Sequence, residues 1–422
     1  MRQFLHLPIH AALNIRALNG YSPVAYLDRA RTDRGTLLAI GEVDSFRLES
    51  PGSAFNELKK WRVNKKDHVF GHFGYELKND EHSLNRSGQD QIASPVLYFF
   101  QPELLLKISI NSVEVGYFPE RSSQNDLREL VDILFSHSKS QVEFGNTAIK
   151  LKERTQKSTY IDHVNRLKEH IAVGDIYEAN YCVEMYNENV QIDPLVCYET
   201  LIDLTQAPYS CYYKFDGVHV LCASPERFMK FGKGVVTSEP MKGTIRRGKD
   251  QVEDEALKAR LAMDPKERAE NVMIVDLVRN DLSKHAVKDS VRVDGLFEVK
   301  SFKTVHQMVS TVSAKVKEGT SAEEIIRDAF PMGSMTGAPK VRAMELIDEH
   351  EDMPRGIYSG SIGYFEPNGD FDFNVVIRSI IYNEQTKYLS LKVGSAITAG
   401  SDPEKEYDEC MLKAEALMKA LS

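Results

Sequence analysis

The chain is poor in cysteine and tryptophan and has no long apolar run. Its 422 residues include five cysteines and one tryptophan. The cysteines form no C-x-x-C pair, so neither a zinc site nor a disulfide framework is indicated, and we expect a reduced, cytoplasmic location with ordinary buried thiols. No segment approaches the roughly 18 apolar residues that a membrane span needs, and the N-terminus lacks a signal-peptide pattern.

Positive charge is also scarce. Lys plus Arg number 53 against 62 for Asp plus Glu, which gives a net charge of -9. Without a basic stripe or tail, nucleic-acid binding is not expected. An acidic protein repels anions at long range, so a site for an anionic ligand has to be built from local cations or a metal ion. The composition, 42% hydrophobic and 27% charged, is that of a globular protein.

Strand and helix patterns are mixed without a regular βαβ alternation, which favours an α+β fold. Two polar segments predict a surface loop at 79–91 and a connection between two halves at 136–157. Alternation and turn residues predict strands at Pro95–Phe100, Leu104–Ile110, Val218–Ala223, Phe228–Phe231, Asp372–Tyr382 and Lys387–Val393. Capping signals predict helices that begin at Ser158 or Thr159 and end at Gly174, begin at Asp264-Pro265, begin at Ser321 with Glu324 and end at Pro331, and begin at Asp402-Pro403.

Two carboxylates and a lysine share one face of the C-terminal helix. At about 100° per residue, Glu406, Glu409 and Lys413 fall within a sector of roughly 60°. Considered alone, this charged line is more typical of a solvated salt-bridge surface. About 130° away lies an apolar stripe that we predict to face the core, and it comprises Tyr407, Met411, Ala414, Met418 and Leu421.

The helix that begins at Asp264 carries the same carboxylate spacing in Glu267 and Glu270. The residues that follow, 272–278, are apolar nearly all round, which indicates a helix buried on most sides. Buried carboxylates need partners, and a hard divalent cation such as magnesium is one. Spacing alone does not establish that the two glutamate pairs face each other.

Two loops also carry candidate chemistry. The glycine-containing loop 330–340 leads into a helix near Pro339, where free N–H groups favour an anion, although an ordinary turn-to-helix junction is the commoner reading and the spacing is not that of a P-loop. Lys242 lies in a turn, where most lysines are solvated. A lysine becomes a nucleophile when burial or nearby cations lower its pKa, and Arg246 and Arg247 could supply such cations.

Eight segments in the C-terminal part of the chain carry a family resemblance. They are GDIYEANY (174–181), SPERF (224–228), PMKGTIRRG (240–248), DPKERAENVMIVDLVRNDL (264–282), FPMGSMTGAPKVRAMELIDEHE (330–351), YSGSIGYF (358–365), FNVVIRSI (373–380) and SDPEKEYDECMLKAEAL (401–417). In this order they resemble the chorismate-utilising enzymes, a family that includes anthranilate synthase component I, aminodeoxychorismate synthase component I, and isochorismate and salicylate synthases. The segments cover much of 158–420, and the N-terminal half matches more loosely through VFGHFGYELKND (69–80) and RLES (47–50).

The resemblance divides the chain and points to one branch of the family. It implies an N-terminal half, 1–150, with a possible regulatory site, because RLES near Glu49 resembles a tryptophan-binding LLES motif; a plain core turn is the alternative. It implies a chorismate-binding catalytic region at 151–422. Lys242 stands where aminodeoxychorismate synthases carry lysine and the other members typically carry alanine.

Two residues depart from the family pattern. Glu178 stands where water-using members carry a general-base lysine and ammonia-using members usually carry glutamine. Gln307 stands where the family usually has histidine. His306 lies one place earlier, which in a strand means the opposite face.

The resemblance further implies a fold, a cofactor and a reaction. The fold is α+β, with a large β-sandwich core flanked by helices and the active site between its halves. Lys242 would add at C2 of chorismate while the C4 hydroxyl leaves, with Glu226 as proton donor. Ammonia would then replace the lysine and give 4-amino-4-deoxychorismate, a precursor of p-aminobenzoate and folate. Magnesium anchoring the substrate carboxylate would be held by Glu267, Glu270, Glu406 and Glu409. The implied substrate-binding residues are Thr244, Tyr358, Gly360, Ser361, Arg378, Gly394 and Lys413.

Two alternatives stay open, and one partner is expected. The alternatives are anthranilate synthase component I, which also expels pyruvate, and a catalytically silent regulatory homologue, against which the intact Lys242 and Glu226 argue. None of the five cysteines lies on the tight, glycine-flanked elbow that exposes a nucleophilic thiol. The chain also ends soon after the last matching segment, so we expect a separate glutamine amidotransferase subunit to supply the ammonia.

Overall fold

The computed structural model describes residues 1–28, 35–82, 84, 88, 90–136, 149–303 and 305–422. Most of the predicted connection at 136–157 and part of the predicted loop at 79–91 lie outside the described residues. Within the described residues, the strands are β1 (Gln3–Pro8), β2 (Val24–Asp28), β3 (Thr36–Leu48), β4 (Val69–Phe73), β5 (Leu97–Ile108), β6 (Ser112–Tyr117), β7 (Lys152–Glu153), β8 (Glu178–Asn187), β9 (Tyr209–Phe215), β10 (Val218–Ser224), β11 (Arg227–Gly232), β12 (Val235–Glu239), β13 (Met241–Arg246), β14 (Arg292–Ser301), β15 (Val305–Lys315), β16 (Gly337–Ala338), β17 (Ser361–Phe365), β18 (Phe371–Asn374), β19 (Ser379–Asn383) and β20 (Tyr388–Ile397).

The helices of the same described residues flank these strands. They are α1 (Ala54–Arg62), α2 (Lys78–His82), α3 (Gln124–Leu134), α4 (Lys157–Ala172), α5 (Pro194–Thr205), α6 (Gln251–Met263), α7 (Pro265–Ser283), α8 (Ala322–Ala329), α9 (Lys340–His350) and α10 (Pro403–Ala420), with short 3₁₀ turns at Ile15–Gly20, Tyr75–Leu77 and Gly333–Met335.

The strands form a hydrogen-bonded antiparallel sheet that divides at β5. The N-terminal part of β5 pairs with β4 and its C-terminal part with β6 along the same edge, while β3 follows the other edge. One arm runs from β3 through β2, β9, β10, β19 and β20 to β8. The second arm runs from β4 through β17, β18, β11 and β12 to β15, which also pairs with β13 and β14.

Two apolar cores lie on opposite faces of these strands. In β2, Ala25 and Leu27 belong to the first core, whereas Val24 and Tyr26 belong to the second, as the two-residue period of a strand requires. The first core includes the phenylalanine side chains of β4, β5 and β18 together with apolar residues of α1, α7 and α8. The second includes residues of α3, α4, α5, α9 and α10. The predicted α+β fold, a β-sandwich core flanked by helices, is confirmed.

Most predicted helix boundaries are confirmed by their caps. The Asp264 carboxylate accepts the N–H groups of residues 266 and 267, and Ser321 and Glu324 form a reciprocal capping box. The predicted start of α4 was late by a few residues, because Gln156 takes the N-cap position and Lys157 opens the helix. Gly174 follows that helix with φ of 86°, a conformation that glycine adopts without strain.

Two strand predictions were wrong in their extent. The segments predicted as separate strands around residues 95–110 form one strand, β5, because its long edge pairs with β3 throughout. The strand predicted at Asp372–Tyr382 is interrupted, since Arg378 has φ of 51° and the chain turns between β18 and β19. The paired strands around 383–386 are confirmed as β19 and β20.

The predicted core stripe of α10 was also wrong in part. Tyr407, Ala414 and Leu421 are buried as predicted, but Met418 is 36% exposed and Cys410 is fully buried. The buried face is therefore rotated by roughly 60° toward the carboxylates. That rotation buries Glu406 to 3% exposure, because the charged face of α10 borders a cavity instead of bulk solvent.

The sheet crosses the predicted division near residue 150. Strands β2 and β9 pair, as do β4 and β17, so strands from both halves alternate in one hydrogen-bonded structure. The division into an N-terminal half and a catalytic region stays a prediction. Among the described helices, none is long and apolar enough to cross a membrane.

Candidate active site

A cavity lies where the two arms of the sheet end. Strands β8 and β20 contribute from one arm, β13 and β15 from the other, and α7 and α10 line the remaining walls. The structure brings most of the predicted site residues to this one space. Those that line the cavity are Glu226, Lys242, Thr244, Glu267, Glu270, Tyr358, Arg378, Gly394, Glu406, Glu409 and Lys413.

Gly360 and Ser361, both predicted to bind substrate, are not among the residues that line the cavity, and their contact with substrate stays a prediction. A Cβ on Gly360 would lie 2.1 Å from the backbone oxygen of Phe73, so this glycine permits a close approach of two chain segments. The Ser361 hydroxyl is buried and donates to the backbone oxygen of Asn374. Both residues therefore hold β17 in its place in the sheet.

Lys242 lies on β13 and is buried, not solvated as most lysines are. Its Nζ donates to Glu178 Oε1 at the start of β8, so the contact joins the two arms of the sheet. The next residue, Gly243, has φ of 76°, and a Cβ there would lie 2.9 Å from Glu267 Oε2. The glycine thus lets the backbone beside Lys242 approach the first carboxylate of α7.

The pKa of Lys242 is raised, which corrects the predicted effect of the two arginines. Burial by itself opposes the charged amine, but the Glu178 and Glu270 carboxylates outweigh it and raise the pKa of Lys242. Arg246 and Arg247 do not supply the expected cations, because they form ion pairs with Glu253 and Asp254 of α6.

Glu226 lies between β10 and β11 and is 4% exposed. Burial raises its pKa to about 7, although a hydrogen bond from Ser334 opposes the shift. Ser334 Oγ donates to Glu226 Oε1 at 2.7 Å. A carboxyl group with this pKa retains its proton in a large fraction of molecules near neutral pH and can donate it in a reaction.

The two glutamate pairs face the same cavity from different helices. Glu267 and Glu270 come from α7, and Glu406 and Glu409 come from α10. Burial raises the pKa of Glu270 to about 7 and also raises the pKa of Glu267. The charged line of α10 therefore faces this cavity, and within that line Lys413 and Glu409 form the kind of ion pair that the pattern suggested.

Lys266, which was not among the predicted site residues, lies among these carboxylates. Its Nζ lies 3.2 Å from Glu406 Oε1 and 3.7 Å from Glu270 Oε1. Burial disfavours its charge, yet Glu406 and Glu270 together raise the pKa of Lys266 above its ordinary value. The sequence alone could have predicted the contact with Glu270, since Lys266 precedes Glu270 by four residues on the same helix.

The carboxylates have the chemistry that magnesium binding requires. Glu270 Oε1 is buried and has no hydrogen-bond donor among the described residues, so one oxygen is available to a cation. Carboxylate oxygens are the ligands that hard divalent cations prefer. As the side chains stand, no three acidic, histidine or cysteine groups of the described residues converge closely enough to hold an ion, and the Lys266 ammonium takes part of that space. The donor set fits magnesium once the lysine moves aside.

Arg378 and Lys413 are two further cations in the lining of the cavity. Arg378 lines the cavity and, within the described residues, forms no ion pair with a carboxylate. Burial lowers its pKa, which is the sign of a guanidinium without a close counter-ion. Lys413 Nζ donates to the Gly394 oxygen at 2.8 Å and lies 2.7 Å from Glu409. A cavity with an unpaired arginine favours an anionic ligand.

Gln307 and His306 point in opposite directions, as their adjacent positions predict. Gln307 lines the cavity, accepts from Thr244 Oγ1 at 2.8 Å and donates to the Gly243 oxygen at 2.8 Å. His306 contacts Asp254 at 3.0 Å and Ser301 at 2.8 Å on the other side of β15. The imidazole therefore does not replace the side chain that the family pattern places at 307.

The two remaining sequence features give different results. In the loop before α9, Ser334 and Met335 line the cavity, but Lys340 at the helix start pairs with Asp281 at 2.7 Å behind it. The loop therefore contributes Ser334 and Met335 to the cavity, and the anion site predicted at the N-terminus of α9 is not part of the lining. Glu49 is on the surface, with 65% of its side chain exposed and Arg47 as its partner, so a ligand there stays a prediction.

The match to a family model agrees with this geometry. The model for chorismate binding enzymes matches residues 23–419, and the chain belongs to that family. Two solved structures share the fold. One is anthranilate synthase component I from Streptococcus pneumoniae TIGR4, which aligns with 91% of this chain over 92% of its own length, with a TM-score of 0.79 and 25% identity. The other is the menaquinone-specific isochorismate synthase of Escherichia coli, which aligns with 100% of this chain over 95% of its own length, with a TM-score of 0.79 and 19% identity.

Curated relatives carry two different names. An aminodeoxychorismate synthase of Streptomyces pristinaespiralis is 45% identical over 65% of this chain, but the match spans only 38% of that protein. Aminodeoxychorismate synthase component 1 of Bacillus subtilis (strain 168) is 30% identical over 98% of this chain and 92% of its own length. Anthranilate synthase component 1 of Aquifex aeolicus (strain VF5) is 31% identical over 93% of this chain and 83% of its own length.

Proposed function

We propose that the chain converts chorismate and ammonia to 4-amino-4-deoxychorismate through a covalent adduct on Lys242. The observation that carries the proposal is the burial of Lys242 in the cavity that also holds Glu226 and both glutamate pairs. A lysine that served only as a surface cation would not be 8% exposed beside two buried carboxylates. The relatives named aminodeoxychorismate synthase support the same activity.

The cavity residues divide the work of binding and chemistry. Arg378 and Lys413 would bind the substrate's anionic groups, and Tyr358 and Gly394 would shape the wall near its enolpyruvyl group. Glu267, Glu270, Glu406 and Glu409 would hold magnesium, which when bound neutralises a carboxylate of the substrate among these acidic side chains. Crowding of carboxylates around an anion is tolerable only with such compensation.

The reaction would proceed in two substitutions. The Lys242 amine forms a bond to C2, the ring double bonds shift, and the C4–O bond breaks as Glu226 gives its proton to the departing hydroxyl. Ammonia then forms a bond to C4, and the bond between C2 and the lysine breaks. General acid help of this kind typically contributes about 10²–10⁴-fold to a rate.

Replacing the lysine tests the adduct. With chorismate and magnesium but no ammonia, the intact mass of the wild type should rise by one dehydrated chorismate, and Lys242→Ala should show no such rise. Lys230→Ala, a substitution of a lysine in β11 that does not line the cavity, is the matched control and should retain the adduct. An alanine variant at 242 that makes the product at the wild-type rate would refute the lysine mechanism.

Anthranilate synthase component I is the second candidate. The Aquifex relative of that name, similar over nearly the whole chain, favours it specifically. The two activities differ in their products, because anthranilate synthesis also expels pyruvate and gives an aromatic, fluorescent compound. Release of pyruvate before any other enzyme is added would decide for this second activity.

A further inference from the structure

We propose that Glu178 is the base that accepts a proton from Lys242 when the lysine attacks its substrate. The inference rests on the proposed function and adds a residue to it. Glu178 is the carboxylate that the structure places in direct contact with Lys242.

The contact between the two residues is close and enclosed. Lys242 Nζ donates to Glu178 Oε1, and the two side chains are 9% and 0% exposed. Glu178 opens β8 in one arm of the sheet and Lys242 lies on β13 in the other, so the pair forms where the arms enclose the cavity. Glu178 Oε2 is buried and has no hydrogen-bond donor in the described part of the chain, which leaves it able to hold a proton.

The lysine needs such an acceptor because it is protonated before the substrate arrives. The surrounding carboxylates raise its pKa in spite of burial, and an ammonium nitrogen has no lone pair with which to attack carbon. Among the described residues, Glu178 is the carboxylate that is hydrogen-bonded to Nζ. Glu226 is unsuited to the task, since its proton goes to the leaving hydroxyl and its pKa is raised to about 7. Glu226, which lines the cavity, and Glu178, which is hydrogen-bonded to Lys242, thus take the roles of acid and base.

The proposed step balances in protons and electrons. The proton moves from Nζ to the Glu178 carboxylate, and the freed lone pair forms the bond to C2. The C4–O bond breaks, and the hydroxyl leaves as water with the proton of Glu226. After ammonia has bonded to C4, the lysine leaves as a neutral amine and regains its proton from Glu178, while Glu226 is reprotonated from solvent.

A purely electrostatic role for Glu178 predicts the opposite result on substitution. If the carboxylate only compensated the buried ammonium, then Glu178→Gln would make that charge less favourable. More of the lysine would be neutral, and the adduct would form as fast as in the wild type or faster. If Glu178 accepts the proton, the glutamine variant lacks the acceptor and the adduct forms more slowly.

Rapid-quench mass spectrometry with chorismate and magnesium, in the absence of ammonia, separates these cases. We expect the adduct on Glu178→Gln to form on the order of 100-fold more slowly than on the wild type. The dissociation constant for chorismate should stay within about threefold, since Arg378 and Lys413 are untouched. Glu178→Asp keeps the charge but draws the carboxylate back by one methylene, and should slow the adduct by roughly tenfold at unchanged affinity.

Glu323→Gln is the matched control. Glu323 is also a buried carboxylate, 1% exposed and paired with Arg62 at 2.6 Å, but it lies on α8 away from the cavity. This variant reports what the loss of a buried carboxylate does to the fold, and its adduct rate should match the wild type. If Glu178→Gln does not fold, the aspartate variant decides the matter: a wild-type adduct rate there overturns the proposal.

The outcomes also separate this proposal from the proposed function. No adduct on the wild type, with full activity of Lys242→Ala, refutes the lysine mechanism and the role of Glu178 with it. An adduct that requires Lys242 but forms at the wild-type rate on Glu178→Gln refutes the role of Glu178 alone. A slow adduct at unchanged chorismate affinity supports both.

Discussion

At the scale of single residues, two buried carboxylates near Lys242 have different surroundings. Glu226 accepts from the Ser334 hydroxyl, whereas Glu178 accepts directly from the Lys242 ammonium group. Burial raises the pKa of Glu226, whereas Glu178 forms an ion pair with Lys242, so residues of one type can perform different chemistry. The SPERF motif was enough to predict Glu226 as a site residue. The sequence marked Glu178 only as a departure from the family pattern, because its partner Lys242 is 64 positions away.

The acid role of Glu226 gives a pH dependence of known sign. Its pKa is raised to about 7, so the protonated donor is lost as the pH rises through that value, and turnover should fall on the alkaline side. Ser334→Ala removes the hydrogen bond that lowers this pKa. The alkaline fall in turnover should therefore move to higher pH by roughly half to one pH unit. Thr336→Ala, in the same loop but bonded only to backbone oxygens, is the control. If the alkaline fall in turnover stays at the same pH in Ser334→Ala, the acid role of Glu226 is contradicted.

At the scale of elements, the proposed magnesium site requires α7 and α10 together. Each helix supplies two carboxylates, and the spacing within each was readable from the sequence, as were the aspartate caps that begin both helices. Their juxtaposition was not readable, because it depends on how each helix packs on its own part of the sheet. The same cause explains why the predicted core stripe of α10 was partly wrong. The helical period placed Met418 in the stripe because methionine is apolar, but the packing of α10 buries Cys410 and leaves Met418 exposed.

Lys266 supplies a test of the cation site at this scale. Because its ammonium lies between Glu270 and Glu406, it has to be displaced before an ion binds there. Lys266→Met should therefore lower the magnesium concentration that gives half-maximal turnover by roughly threefold or more, and should lower the melting temperature without metal. Magnesium titrations of activity and of thermal unfolding measure both. Arg279→Met, which removes an exposed charge from the same helix, should change neither. An unchanged magnesium requirement in Lys266→Met would count against these four carboxylates as the ion's ligands.

At the scale of the whole molecule, the two arms of the sheet diverge at β5 and their far ends meet at the cavity. The fold class followed from the mixture of strand and helix patterns, and the sandwich followed from the family resemblance. The exchange of strands between the two sequence halves had no local signal, since antiparallel pairing of distant segments is decided by packing rather than by turns. Gly360 and Ser361 show the same limit, because a motif match does not tell whether a residue that holds a strand also contacts a ligand.

Nitrogen supply is also a property of the whole molecule. All five cysteines are buried, and burial raises the pKa of Cys182 and Cys197 to about 12 and that of Cys410 to about 11, so these thiols are not poised as nucleophiles. We therefore expect no turnover when the purified chain receives chorismate, magnesium and glutamine alone. Addition of ammonium, or of a glutamine amidotransferase subunit together with glutamine, should start it. Glutamine-dependent turnover by the single purified chain would contradict the need for a partner.

The identity of the product tests the central claim most directly. The purified chain, given chorismate, magnesium and ammonium at a pH high enough to supply ammonia, should form 4-amino-4-deoxychorismate, detected by its mass and its lack of anthranilate fluorescence. Pyruvate should not be released, and Lys242→Ala should form at least about 100-fold less product. Anthranilate with stoichiometric pyruvate, or undiminished aminodeoxychorismate from Lys242→Ala, would contradict the account.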